Sequence, residues 1–117
     1  MEYSELEKVN KKLKKTDIKG KDYIEVNQRI LGFRQLYPNG SIETEIINMQ
    51  DGIVTIKAIV KDDGKILATG HAQEKEGNSF INKVSYIENC ETSAVGRALG
   101  ILGIGTDTSV RSFDEMQ

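Results

Sequence analysis

The stretch SIETEIINMQDGIVTIKAIVKDDGKILATGHAQEK, residues 41–75, decides the fold class. It holds three β-rich runs, SIETEIINM, GIVTIKAIVK and KILATGHAQEK, with Asp51-Gly52 and Asp63-Gly64 between them. An Asp-Gly pair flanked by alternating apolar residues is a strong short-range hairpin signal, so the stretch reads as an antiparallel meander. On the middle run Val54, Ile56, Ala58 and Val60 share one side, and Thr55, Lys57, Ile59 and Lys61 share the other. On the third, Ile66, Ala68, Gly70 and Ala72 form a face of small residues against which a helix can lie close. After the turn residues EGNS (76–79), the segment FINKV (80–84) reads as a short fourth strand.

Both flanks of the meander read as helices. Upstream, Tyr23, Val26, Ile30, Phe33 and Leu36 have the spacing of an amphipathic helix over 23–36, which Pro38 and the Asn39-Gly40 pair stop. Before it, TDIKGKD (16–22) is a polar break, and SELEKVNKKLKK (4–15) carries a thin stripe of Leu6, Val9 and Leu13. Ser4 and Glu7 would cap that helix reciprocally. Downstream, Ile87, Cys90, Ala94, Val95, Ala98, Leu99 and Leu102 make one core stripe on a helix from about Ser85 to Leu102, ended by Gly103 and Gly105. The expected class is α+β, an antiparallel three- to four-stranded β-meander packed by helices on one face in the order α-β-β-β-α. A lysine-rich arm would span 1–21, the core 22–105 and a tail 106–117, the tail being a terminal helix or the point where a longer chain was cut.

Composition bounds the function. A chain of 117 residues suits one core, and its formal net charge of -2 argues against a constitutively basic nucleic-acid binder. The charge is uneven, because residues 1–21 hold seven lysines against four acids. With one cysteine, Cys90, no internal disulfide forms, and no apolar run approaches the ~20 residues of a membrane helix. The expected location is the cytoplasm, without membrane contact.

Catalytic chemistry finds little support. His71 and Cys90 are the sole residues of their kinds, which excludes the usual Cys/His zinc site. Cys90 lies on the core stripe, as a small hydrophobe would. The glycines of GILGIG (100–105) follow a helix and read as its end, not as a phosphate loop. Glu88 and Glu91, near a helix start, favour the positive end of its dipole, and Glu74 and Glu76 mark a solvated strand end. The expectation is a non-enzyme with no cofactor and no metal. Arg97 stands apart: it is either a surface arginine paired to an acid or a bidentate phosphate clamp.

Two segments, YIEVNQRILGFRQLYPNGSI (23–42) and SYIENCETSAVGRALGILG (85–103), with the meander between them, resemble the core of the Rad52-like single-strand annealing proteins, especially small phage and prophage recombination proteins. The resemblance implies a ring- or filament-forming homo-oligomer in the cytoplasm of the host. It implies ATP-independent binding of single-stranded DNA by its backbone, annealing of complementary strands, and a possible replication or recombination partner. It places the family's first-helix cation near Arg29 and its last-helix cations at Gly96, Arg97 and Gly100, of which only Arg97 is basic here. Arg34, Lys57 and Lys61 would supply the remaining phosphate contacts, and the alternative for the two lysines is a solvated sheet face. Two other readings stay open: an oligomeric protein-interaction module on the same fold with reduced DNA binding, and a hot-dog-like small-molecule enzyme.

Overall fold

The computed structural model describes the backbone of residues 1–77 and 80–106, and the side chains of those residues except 80–84. The element order is α1 (Tyr3–Lys12), β1 (Thr16–Ile18), β2 (Lys21–Tyr23), α2 (Val26–Leu36), β3 (Gly40–Gln50), β4 (Ile53–Asp62), β5 (Lys65–Lys75) and α3 (Phe80–Leu102). The expected meander is the antiparallel sheet β3-β4-β5, and both of its turns are formed as read. Asp51 and Gly52 have φ of 55° and 74°, and Asp63 and Gly64 have 52° and 78°, so both central residues of each turn are left-handed, which matches the twist of the flanking strands.

One face of this sheet is the core. Val54, Ala58 and Val60 are fully buried and Ile56 nearly so, while α3 lies across β4 and β5 and supplies Cys90, Ala94, Ala98 and Leu99. The close approach expected of small residues is made at Gly70, where an added Cβ would stand 2.5 Å from the Ala98 nitrogen and 2.7 Å from the Ala94 oxygen. Ile66 does not share that face. A register shift at Val60/Lys61 pairs Ile66 with Lys61, so Ile66 is 59% exposed and the intervening Leu67 packs on the core instead.

Several boundaries differ from the sequence reading, each for a local reason. The polar break is a hairpin, β1-β2, whose turn residues Lys19 and Gly20 both have positive φ. Tyr23 therefore ends a strand, and α2 starts at Val26 after an extended Glu25. Tyr23 and Ile24 are buried either way, because a strand end and a helix start deliver them to the same core. Helix α1 begins before Ser4 and has no side-chain cap, which removes the Ser4–Glu7 box. Residues 80–84 are helical and not a fourth strand; Ser85, at φ -146° and ψ 36°, kinks α3 there. The expectation for the tail at 107–117 lies outside the described residues. Among the described residues no helix is long and apolar enough to cross a membrane.

Candidate nucleic-acid interface

The five cations expected to meet phosphate are not gathered into one patch. Arg29 is not at the surface at all. It is 1% exposed, and its guanidinium donates to the Ile104 carbonyl at 3.1 Å and the Ile24 carbonyl at 3.5 Å. It ties the start of α2 to the chain just beyond α3, so its charge serves the fold. The neighbouring glycines show why. A Cβ at Gly100 would stand 2.6 Å from Arg29 Nη1, and one at Gly105 would stand 3.2 Å from the same side chain. A Cβ at Gly96 would stand 2.7 Å from Val26 Cγ2. Positions 96 and 100 thus lie in the seam between α2 and α3, where a lysine or arginine would have no room and no phosphate to meet.

Lys57 and Lys61 project from the face of the sheet opposite the helices. Lys61 Nζ is 3.2 Å from Glu43 Oε2, and Lys57 stands opposite Glu45 and His71 in the register. Each lysine has a carboxylate beside it, so this face is charge-mixed and not a cationic platform. Arg34 and Arg97 are exposed on the helical side, on α2 and α3. Arg34 donates to the Gly40 carbonyl at 2.8 Å and lies over the Phe33 ring, its centre 5.7 Å from the ring centroid, which holds the guanidinium at the end of α2.

The densest cationic surface is the N-terminal arm. Lys8, Lys11, Lys12, Lys14, Lys15, Lys19 and Lys21 are all exposed on α1, the segment after it and the β1-β2 hairpin. A peripheral helix with a thin apolar stripe would fray, yet α1 is fastened to α2 and to the loop that follows α3. Asn10 Nδ2 donates to the Gly103 carbonyl at 3.0 Å, and Asn10 Oδ1 accepts from the Gly105 N–H at 2.8 Å. Leu6 packs at Gly103, and Val9 and Leu13 pack at Gly32. The sequence reading missed Asn10; its one signal is a side-chain amide in line with the apolar stripe, which any helix surface could carry.

The Cys90 thiol is buried, donates to the Ala72 and Val54 carbonyls at 3.3 and 3.6 Å, and is pushed above the ordinary thiol range chiefly by burial. Burial likewise raises the Tyr37 phenol, aided by Asp62 and Glu5. Glu91 accepts from Thr44 Oγ1 at 2.6 Å, and so links α3 to β3. Among the described residues no group of three His, Cys, Asp or Glu is placed to hold a metal ion.

A family model described as "Slr1353 N-terminal dsRNA-binding domain-like" matches residues 30–102, more than half of the chain. The match runs from the middle of α2 through the meander to the end of α3. It overturns the Rad52-like resemblance. In this chain the glycine-spaced segments quoted for the resemblance encode helix packing, as Gly96 and Gly100 show, and not a cationic groove. Comparison with curated proteins finds no match, and comparison with solved structures finds none.

Proposed function

The chain belongs to the Slr1353 N-terminal dsRNA-binding domain-like family, and from that premise we propose that it is a binding module for double-stranded RNA, without catalytic activity or cofactor. The observation that carries the reading is the α2-β3-β4-β5-α3 core, in which α3 lies across a three-stranded antiparallel meander and α2 packs on α3, most of it within the matched region. Domains of this kind read duplex RNA by its A-form shape, touching 2′-hydroxyls and phosphates across successive minor grooves, and need no base-specific groove. That mode suits a chain whose lysines cluster on its N-terminal arm and whose open sheet face presents no aromatic stacking platform among the described residues.

The phosphate contacts fall to Lys8, Lys11, Lys12 and Lys15 on the N-terminal arm, with Arg34 and Arg97 on the helical side. The net charge of -2 is compatible with this, because screening confines the field to about 10 Å and the local excess of lysine decides what an approaching phosphate meets. Annealing of single-stranded DNA, in rings or otherwise, loses its basis with the Rad52-like resemblance.

The test is fluorescence anisotropy with three labelled probes of one sequence, a ~20-bp RNA duplex, the DNA duplex and the single DNA strand, each at two salt concentrations; the duplex exceeds the ~16 bp such a domain spans. The RNA duplex should bind tightest, with affinity falling steeply in salt as counterions are released. The triple variant Lys11→Glu/Lys12→Glu/Lys15→Glu should weaken it at least tenfold, about what the loss of several phosphate contacts implies. Tighter binding of the single strand than of the RNA duplex would refute the proposal.

A further inference from the structure

The sheet's two edges are treated differently. At β5, α3 covers the core side, with Gly70 and Ala68 buried beneath it. At β3 the core side runs out with no described residue covering it. In the register Ile46 is opposite Ile56 and Met49 is opposite Val54, so both stand in rows that are buried on β4. Yet Ile46 is 52% and Met49 53% exposed, because α3 barely reaches β3. Beside them a groove of about 370 Å³ opens between α2, α3 and β3, with Val26, Ile30, Ile42 and Val95 as its apolar lining and Arg34 and Glu91 at its polar rim.

We propose that the outer edge of β3, which pairs with no other strand among the described residues, and this groove form a docking site for an extended segment of a protein partner in which apolar residues alternate with lysine or arginine. An edge strand offers unpaired backbone donors and acceptors, which a further strand satisfies, and the pleat then sends alternate side chains to opposite faces. Those on the core side lie beside Ile42, Thr44 and Ile46, next to the groove. Those on the open side lie beside Glu43 and Glu45. The inner neighbour of β3 already has this pattern: β4 sets Ala58 and Val60 on the core side, and Lys57 and Lys61 against the same two carboxylates.

Charge also selects against other occupants. A second copy paired antiparallel through β3, core sides together and centred on Glu43 or Thr44, brings Glu43 against itself or against Glu45, and like charges directly opposite are unfavourable. Nucleic acid meets the same carboxylates. The register shift between Ile46 and Asn48 bends the strand, and the backbone of Gly40 is engaged by Tyr37 and Arg34, which limits straight pairing to the segment from Ser41 to Ile46.

The test uses the full chain and a labelled, end-blocked peptide with the sequence VTIKAIVK, that of residues 54–61, against its counterpart VTIEAIVE. The lysine peptide should bind about tenfold tighter, since two cross-strand charge pairs change sign between the two. The doubly substituted chain Glu43→Lys/Glu45→Lys, altered only at exposed positions, should reverse that preference. Ile46→Lys should remove binding of either peptide, and amide chemical shifts should move along residues 41–46 and α2. Equal affinity for both peptides, or shifts confined to β5, would overturn the proposal. So would self-association of the free chain that the peptide competes away, which would make a second copy the occupant, and so would displacement of the peptide by duplex RNA at the same amides.

Discussion

Gly70→Ala introduces one methyl group where the backbone of α3 rests on β5. The new Cβ would sit 2.5 Å from the Ala98 nitrogen and 2.7 Å from the Ala94 oxygen, and 3.0 Å from the Ala98 Cα. Carbon requires ~3.5 Å from such atoms, so α3 must move away from β5 by about 1 Å. No side chain can rotate to absorb the strain, because the obstructing atoms are helix backbone. Overpacking of this kind costs about 1–3 kcal/mol, and a rigid obstacle puts this site at the upper end. Reduced freedom of the unfolded chain returns ~0.4–1 kcal/mol, which leaves a net loss of about 2 kcal/mol. In urea, with a slope of ~1–3 kcal/mol per molar, the midpoint should fall by about 1 M. The melting temperature should fall by about 10 °C at the ~4–8 °C per kcal/mol typical of a domain of this size. Thr69→Ala, on the opposite face of the same strand, should cost under ~1 kcal/mol. A Gly70→Ala protein with an unchanged midpoint would mean that α3 does not rest on Gly70.

Three further outcomes are expected. Arg29→Met should lower stability by about 3 kcal/mol, since two hydrogen bonds from a charged donor are lost from a buried site. It should leave the affinity of the folded fraction for duplex RNA unchanged, and a selective loss of affinity would return Arg29 to the interface. Cys90 should resist alkylation at pH 8 in the native protein and react at once in denaturant; rapid native labelling would contradict its burial. The same thiol sets a pH dependence: it ionises more readily in the unfolded chain, so its contribution to stability is complete below the ordinary thiol range and is lost as pH rises through the elevated native value. Urea midpoints measured at pH 8 and pH 10 for the native chain and Cys90→Ala should differ in slope with pH, the native chain losing more.

Much of the architecture was legible because it rests on local chemistry. Two Asp-Gly pairs gave the meander, and alternation along β4 gave its buried side. The 3.6-residue spacing from Ile87 to Leu102 gave the face of α3 that meets the sheet. What could not be read depends on partners distant in sequence. Lys19-Gly20 looks like any polar break until its flanking residues pair. The helix at 80–84 and the strand reading of FINKV share one apolar pattern, which a five-residue run cannot resolve. The site was the least legible part. Arg29, Arg34, Lys57, Lys61 and Arg97 are alike as letters, and their separation into the core, a charge-mixed face and the helical face follows from packing alone. Glycines at 96 and 100 resembled a departure from a cationic motif, when they are the reason α2 can approach α3.

Asn10 has a consequence for the order in which the molecule assembles. Its bonds to Gly103 and Gly105 span 93 and 95 residues, so they close nearly the whole chain into a loop and can form only after α3 has docked. The hairpins of the meander, by contrast, need only neighbours. The N-terminal helix is therefore the last element to settle, and its opening breaks those two hydrogen bonds and uncovers the edge of the core beneath Leu6, Val9 and Leu13. The position of the lysines on α1 is thereby tied to the docking of α3, through the loop that follows it.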